Sequence, residues 1–212
     1  MSKISSLPPF HAGDTLVIAT HNQGKMKEIA ALMKQHHLLV RSAYEAGIPE
    51  PEETGLTFEE NALLKAQHAT ARCPDYTVLA DDSGLEVDVL DGAPGIYSAR
   101  WAGANKDFGY AMQRVHDALR EQGVEVEGQP ARFICVLALA RLGYAPRTFR
   151  GVWEGTLTFP PRGEHGFGYD PIFVPHGEVR TCAEMTHDEK HRMSHRTQAF
   201  SQLMQFIAQE CS

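Results

Sequence analysis

Apolar residues follow two spacings along this chain, one typical of buried strands and one typical of helices. The run LVIA at 16–19 is continuous and predicts a strand over about residues 14–20. Directly after it, apolar residues recur at i, i+3, i+4 and i+7, which predicts a buried stripe on a helix from about Gly24 to His36. The stripe consists of Met26, Ile29, Ala30 and Met33.

The same spacings predict alternating strands and helices along the rest of the chain. Thr57 and Glu60 have the spacing of a capping box, which opens a helix through about Arg72. The other predicted elements are strands at about 38–42, 77–80, 133–140 and 148–158, helices at about 106–122 and from Thr197, and loops at 43–56 and 91–103. This alternation favours an α/β fold.

Composition and charge narrow the class of protein. The 212 residues are 42% hydrophobic, enough for one domain or two joined lobes over residues 14–212, with residues 1–13 as a leader. A formal net charge of −7 argues against a stable nucleic-acid binder, which neutralises phosphates with basic residues. The four cysteines form no CxxC pair, so neither a zinc ribbon nor a disulfide framework is indicated. With no signal peptide and no apolar run near the ~18 residues of a membrane span, we expect a cytoplasmic protein without a membrane partner.

The segment THNQGK at 20–25 joins the first predicted strand to the first predicted helix. Its Asn and Gly are typical of a turn whose backbone N–H groups face a phosphate at a helix N-terminus. The same residues are ordinary in turns that bind nothing, and the Walker A pattern is absent. The turn alone leaves both interpretations open.

Two further segments carry polar residues that a packed domain does not need. An acidic loop with Glu52 and Glu53 precedes the helix that places Asn61 and Lys65 one turn apart on one face. The segment ADDSG at 80–84 is predicted at the carboxyl end of a strand, where α/β sheets bind ligands. Adjacent acids there have opposed directions, so we expect at most one to face the core. The alternatives are a solvated helix surface and an Asp-rich turn.

Two carboxy-terminal segments add aromatic and basic groups. The segment GFGYDPIF at 166–173 sets aromatics among glycines, which suits either stacking on a base or anchoring a turn in the core. Lys190, His195 and Arg196 supply donors suited to phosphate or to a carbonyl oxygen.

A histidine series in the same region offers a zinc site as an alternative. His187, His191 and His195 are spaced i, i+4 and i+8, as zinc ligands on one helix would be. Ser194, however, is a predicted N-cap of the last helix and would interrupt that helix. We therefore favour solvated positions for His187 and His191.

Together these segments resemble the inosine triphosphate pyrophosphatase family, the bacterial XTP/dITP diphosphatases. The matching motifs are VIATHNQGKMKEI at 17–29, EETGLTFEENALLKA at 52–66, LADDSGLEVDVLDGAPGIYSARWAG at 79–103, GFGYDPIF at 166–173 and EMTHDEKHRMSHR at 184–196. They occur in the family's order over most of the chain. His21 stands where many members have Gly, and residues 1–13 extend beyond the usual start.

The resemblance implies hydrolysis of ITP, dITP and XTP to the monophosphate and pyrophosphate, which removes non-standard purines from the nucleotide pool. It also implies a long central mixed sheet flanked by helices, in two lobes with the active cleft between them, and a homodimer. The residues it assigns to substrate binding are Thr20, His21, Asn22, Gln23, Gly24, Lys25, Lys65, Ser83, Phe167, Gly168, Tyr169, Asp170, Lys190, His195 and Arg196. The three lysines would bind phosphate, Phe167 would stack on the base, and Arg196 or His195 would donate to its 6-oxo group.

The resemblance further implies a Mg²⁺ site at Glu53 and Asp82, with Glu52 as a residue that shares or takes over the role of Glu53. Asp82 matches the position of the proton acceptor for the attacking water. The segment GAPGIYSARWAG at 92–103 is expected at the cleft edge or the dimer interface. Two alternatives remain, a nucleotide pyrophosphatase of the Maf type with other substrates and a non-catalytic nucleotide sensor.

Overall fold

The computed structural model describes residues 13–20, 22–34 and 39–210, which contain a six-stranded mixed sheet with flanking helices. The strands are β1 (Thr15–Ala19), β2 (Leu39–Ser42), β3 (Thr77–Val87), β4 (Pro130–Ala140), β5 (Arg147–Leu157) and β6 (Phe173–Pro175). The helices are α1 (Gln23–Lys34), α2 (Phe58–Thr70), α3 (Ser98–Trp101), α4 (Phe108–Glu121), α5 (His187–Met193) and α6 (His195–Glu210). The predicted α/β fold with a long mixed sheet is confirmed.

The strands follow the order β2-β1-β3-β4-β5-β6 across the sheet. β1 pairs in parallel with β2 and β3, whereas β5 and β6 pair antiparallel. In the β1–β3 pair, Ile18 lies opposite Leu79 and Ala19 opposite Ala80. This register fixes the position of the residues that follow Ala80.

The chain divides into two compact units. The first consists of Met1–Asp82, Val136–Arg150 and Thr197–Ser212. Its core is built on the apolar runs of β1 and β3, with Leu16, Ile18 and Leu79 fully buried. On α1, the predicted stripe is confirmed at Ile29 and Met33, which are buried, while Met26 and Ala30 are partly exposed.

The second unit consists of Ser83–Cys135 and Gly151–Arg196. Its core packs α4 and the aromatic residues of the later strands, among them Leu119, Phe133 and Phe173. α4 begins where the Asp107 carboxylate accepts a hydrogen bond from Tyr110 N at 3.1 Å. Four of its residues, spaced along one face, are buried: Ala111, Met112, Val115 and Leu119.

Several predicted boundaries were wrong. β3 extends to Val87 instead of ending at Ala80, because the buried residues Leu85 and Val87 continue the strand beyond the polar residues. The segment 91–103 is not an open loop, since it contains a 3₁₀ turn and α3. Ser98 anchors this segment by accepting a hydrogen bond from Leu85 N at 2.9 Å.

The capping box at α2 is half formed. Thr57 Oγ1 accepts from Glu60 N at 3.1 Å, as predicted. Glu60 Oε2 accepts from Leu56 N at 2.6 Å, one residue before the amide that a capping box uses. Glu60 therefore binds the acidic loop at Leu56, one residue before the N-cap Thr57.

Some predictions fall on residues outside the described ranges. They are residues 1–12 of the leader, His21, the predicted end of the first helix at His36, and the start of the second strand at Leu38. No helix within 13–20, 22–34 and 39–210 combines the length and apolar content that crossing a bilayer requires.

Candidate active site

Asp81, Asp82 and Ser83 occupy consecutive interior positions of β3. The prediction that they follow the strand's carboxyl end was therefore wrong. Both carboxylates are buried, since Asp81 is 1% and Asp82 5% exposed. Burying two neighbouring carboxylates requires a compensating cation for each.

Lys65 supplies the cation for Asp82. Its Nζ donates to Asp82 Oδ1 at 2.9 Å and to Glu53 Oε1 at 2.8 Å. Lys65 is 4% exposed, so the interpretation of this helix face as a solvated surface was wrong. α2, the acidic loop before it and β3 thus bring one lysine and two carboxylates together.

Lys25 supplies the cation for Asp81. Its Nζ lies 2.8 Å from Asp81 Oδ2. Lys25 is in the first turn of α1, which directly follows β1, and β1 pairs with β3. Each acid of the Asp81-Asp82 pair is therefore matched by a lysine from a different helix.

Burial and charge shift the pKa values in this group. Burial alone lowers the pKa of Lys65, but the surrounding carboxylates, Asp82 foremost, outweigh it and raise that pKa above its ordinary value. Burial, with a smaller contribution from Glu53, raises the pKa of Asp82 above its ordinary value against the lowering by Lys65 and Lys25. Lys65 consequently stays charged, and Asp82 is a better proton acceptor than an ordinary carboxylate.

The donor set of Glu53 and Asp82 fits a hard divalent cation. Oxygens of both carboxylates already converge on one positive centre, Lys65 Nζ. Asp82 Oδ2 is buried and has no hydrogen-bond partner within the described ranges. No group of three or more His, Cys, Asp or Glu side chains in those ranges could hold a metal. Two carboxylates plus substrate phosphates are nevertheless a usual environment for Mg²⁺.

In the turn 20–25, Asn22 caps α1. Its Oδ1 accepts from Gly24 N at 2.9 Å and from Lys25 N at 3.1 Å, and Asn22 N donates to Thr20 Oγ1 at 3.3 Å. In this structure the cap uses the backbone N–H groups of Gly24 and Lys25. Gln23 is the first residue of α1.

In the second unit, Asp170 organises the segment GFGYD. Its Oδ2 accepts from Lys190 Nζ at 2.6 Å and from Phe167 N at 2.8 Å, and both charged side chains are buried. Gly166 has φ of 77°, and a Cβ there would lie 2.0 Å from Asp170 Oδ2. The glycine thus permits the close approach of this carboxylate to the backbone.

The Phe167 ring lies beside two cations. Lys190 Nζ is 4.9 Å and Arg196 Cζ 5.9 Å from its centroid. Arg196 is buried, and its Nη2 donates to Ser83 Oγ at 3.2 Å. A partly exposed aromatic ring, two cations and a hydroxyl are therefore held together. Gly168, with φ of 69°, separates Phe167 from this unit's buried tyrosine.

That tyrosine and His195 are buried in aromatic surroundings. The Tyr169 hydroxyl donates to Ser98 O at 2.8 Å, and its ring meets Phe108 edge to face. The His195 ring stacks on Phe133 at 5.0 Å between centroids. Tyr169 therefore supports the fold of this unit, and the imidazole plane of His195 is fixed by its neighbours.

The histidine series does not lie on one helix. His187 and His191 are on α5, while His195 begins α6 after the non-helical Ser194. The interruption at Ser194 is confirmed. A metal-holding cluster of these three residues is also missing from the described ranges.

In the sequence, Asp82 of the first unit is followed directly by Ser83 of the second. Sequence reasoning assigned no role to Asp81 as the partner of Lys25. It also missed Asn61, whose Oδ1 accepts from Gly55 N at 2.8 Å. The spacing that puts Asn61 and Lys65 on one helix face was the available signal.

Comparison with known proteins places the chain in a family. The model of the Ham1 family matches residues 16–206. A dITP/XTP pyrophosphatase of Rhodospirillum centenum is 55% identical over 197 residues, 93% of this chain and 96% of that protein. One of Mesorhizobium japonicum is 47% identical over 205 residues, 91% of this chain and 93% of that protein.

Solved structures agree with the sequence relatives. The HAM1 protein of Coxiella burnetii is 40% identical with a TM-score of 0.84, covering 92% of this chain and 99% of its own. The Ham1 protein of Staphylococcus aureus is 37% identical with a TM-score of 0.81, covering 93% of this chain and all of its own. From the family match, the relatives and the shared fold, this chain belongs to the Ham1 family.

Proposed function

We propose that this Ham1-family hydrolase converts dITP, XTP and ITP to the nucleoside monophosphate and pyrophosphate, clearing non-standard purines from the nucleotide pool. The observation that carries the proposal is the contact of buried Lys65 with two carboxylates, buried Asp82 and partly exposed Glu53. Relatives covering most of the chain are dITP/XTP pyrophosphatases. A non-catalytic sensor would need no such pairing of carboxylates.

The phosphates are bound by Lys25, Lys65 and Lys190, with the turn 20–25 beside Lys25. All three lysines are paired with carboxylates in this structure. A triphosphate that binds them exchanges one anionic partner for another, so no lysine needs to be ordered anew. Such prearranged cations stabilise the charge that develops on transferring phosphoryl groups.

Glu53 and Asp82 hold a divalent cation, which we assign as Mg²⁺, with Glu52 as the neighbouring acid of the same loop. When bound, the ion offsets part of the phosphate charge. Glu53 Oε1 and Asp82 Oδ1, which both accept from Lys65 Nζ, would hold the ion.

Asp82 is the catalytic residue that accepts a proton from the attacking water. The water oxygen forms a bond to phosphorus, the bond between the α- and β-phosphates breaks, and pyrophosphate leaves. The water's proton goes to Asp82. Lys65 holds Asp82 Oδ1 at 2.9 Å and leaves Oδ2 to receive it.

The base is recognised by the second group. Phe167 stacks on the purine, and Arg196 or His195 donates to the 6-oxo group that distinguishes inosine and xanthosine from adenosine. Ser83 hydrogen-bonds the nucleotide from its place beside Arg196 Nη2. Gly168, Tyr169 and Asp170 contribute by fixing the backbone around Phe167.

We further propose a cytoplasmic homodimer. The four cysteines are widely spaced and suggest no disulfide framework, which supports a reducing compartment. The α3 region and α4 present exposed aromatic rings, Tyr97 and Tyr110, that suit an interface between copies. Sedimentation of the wild-type protein tests the dimer, and monomers at micromolar concentration would contradict it.

A single assay tests the proposed activity. The protein is incubated with MgCl₂ and a panel of dITP, XTP, ITP, ATP and GTP, and pyrophosphate and orthophosphate are measured separately. We expect stoichiometric pyrophosphate from the first three substrates and little from ATP or GTP. Orthophosphate as the first product, or equal rates on all five, would overturn the proposal.

A further inference from the structure

The acidic loop that carries Glu53 is attached to α2 through two successive backbone amides. Gly55 N donates to Asn61 Oδ1 at 2.8 Å, and Leu56 N donates to Glu60 Oε2 at 2.6 Å. Glu53 lies two residues before the first of these contacts. The position of its carboxylate therefore depends on where α2 holds the loop.

Asn61 makes the more buried of these two contacts. It is 1% exposed, whereas Glu60 is exposed, so water competes less for the Gly55–Asn61 hydrogen bond. Asn61 also lies one turn before Lys65 on the same helix face. A single helix thus presents the lysine that binds Glu53 and the amide that holds the loop of Glu53.

The loop fits this contact closely. A Cβ at Gly55 would lie 2.7 Å from Asn61 Oδ1 and 2.9 Å from Asn61 N. These distances are shorter than carbon contacts allow, so any side chain at residue 55 would push the loop from α2.

The NH₂ group of the Asn61 side chain indicates a role beyond stability. Asn61 Nδ2 is buried and has no hydrogen-bond partner among the residues described. Burying an unsatisfied donor costs free energy, which a residue serving only to stabilise the fold would avoid. The chain accepts this cost at the position that holds the loop of Glu53.

We propose that Asn61 is a positioning residue for the metal site, holding Glu53 through the Gly55 amide so that its carboxylate meets that of Asp82. The inference rests on the metal role of Glu53 and Asp82 given under the proposed function. Partners that orient a metal ligand typically change metal affinity by about 10–100-fold when removed.

The test measures Mn²⁺ binding to the protein by electron paramagnetic resonance, with Mn²⁺ as a spectroscopic substitute for Mg²⁺. Asn61→Ala, Gly55→Ala and Glu53→Gln should each weaken Mn²⁺ binding by about 10-fold or more. The double variant Asn61→Ala with Glu53→Gln should bind no more weakly than Glu53→Gln alone, because Asn61 acts through Glu53. Amide hydrogen exchange at Gly55 should quicken in Asn61→Ala and stay unchanged in Glu53→Gln.

Thr57→Ala is the matched control. It removes a cap from the same end of α2 and leaves the Gly55–Asn61 contact in place. We expect it to lower Tm without changing Mn²⁺ affinity. If Asn61→Ala fails to fold, Gly55→Ala tests the Gly55–Asn61 contact by changing the loop residue instead.

The outcomes separate this inference from the function on which it rests. Wild-type Mn²⁺ affinity in Asn61→Ala and Gly55→Ala, beside weakened affinity in Glu53→Gln, would overturn the positioning role alone. The positioning role would also be overturned if the double variant lost Mn²⁺ affinity by the product of the two fold-losses of the single variants. Unchanged affinity in Glu53→Gln would overturn the metal role of Glu53 and the inference with it.

Discussion

Lys190 Nζ lies 2.6 Å from Asp170 Oδ2, and the same oxygen accepts a hydrogen bond from Phe167 N. One buried carboxylate therefore sets the position of a proposed phosphate-binding lysine and of the ring proposed to stack on the base. Removing either charge leaves the other buried without this ion pair.

We expect Asp170→Asn to lower the free energy of unfolding by about 3 kcal/mol or more, because Lys190 stays buried and charged. Adding Lys190→Met to Asp170→Asn should cost less than the sum of the single losses. Urea denaturation of the two single variants and the double variant measures this. Strictly additive losses would show that the two charges do not interact.

Asp82→Asn should lower turnover by about 10²–10⁴-fold, because an amide cannot accept the proton from water. Asp88→Asn is the matched control, since Asp88 is largely exposed and contacts Arg132. Steady-state kinetics with dITP at saturating MgCl₂ should leave the control close to wild type. Near wild-type turnover in Asp82→Asn would remove Asp82 from the chemistry.

Lys65→Met should lose both activity and stability, because Glu53 and Asp82 would remain together without their shared cation. A divalent ion that binds the native state should then offset part of the loss. We expect MgCl₂ to raise Tm more in Lys65→Met than in wild type. Equal shifts in thermal unfolding would indicate that no ion replaces Lys65.

Arg196→Ala and Phe167→Ala should separate base selection from base stacking. Arg196 is a buried donor, and leaving a polar group unpaired discriminates strongly between bases, whereas stacking does not. We expect Arg196→Ala to narrow the ratio of kcat/KM for ITP over ATP. Phe167→Ala should lower kcat/KM for every purine triphosphate alike. An unchanged ITP-to-ATP ratio in Arg196→Ala would exclude Arg196 from base recognition.

Glu189 should make stability depend on pH in the acid range. Hydrogen bonds from Thr186 and then Arg180 lower its pKa from 4.5 to about 2. A depressed native pKa means that its contribution is complete above pH 4.5 and is lost as pH falls towards 2. Glu189→Gln should flatten this part of the stability curve, while Glu164→Gln, at an exposed position, should not. Denaturant titrations between pH 2 and 6 measure the difference.

Local spacing predicted most elements, because it depends on near neighbours. The stripe ending at Met33 and the cap at Thr57 need only residues within one or two turns. The length of β3 could not be predicted from local spacing, because its two acids are typical of turns. In the structure each of them is paired with a lysine. Those partners come from other elements and leave no local pattern.

The candidate site was predictable in its residue types and less so in its pairings. Lys25, Lys65 and Asp82 were recognisable from motif resemblance, but nothing local joins Lys25 to Asp81. The sequence left open whether the amides of the turn at 20–25 face an anion, and in the structure Asn22 occupies two of them. A short polar side chain has both options, and the backbone angles of the turn decide between them.

The placement of Asp81, Asp82 and Ser83 within a paired strand also limits how this gene can change length. Side chains alternate between the two faces of a strand. Losing or gaining one codon between Thr77 and Ala80 would therefore move the side chains of all three residues to the opposite face, unless the register with β1 shifted by one residue as well. The carboxylate beside Lys65 would then be aimed towards the opposite face. Length variation in this protein is therefore expected in the connections between elements, such as 122–129, and to be excluded from the ladder that leads into Asp81.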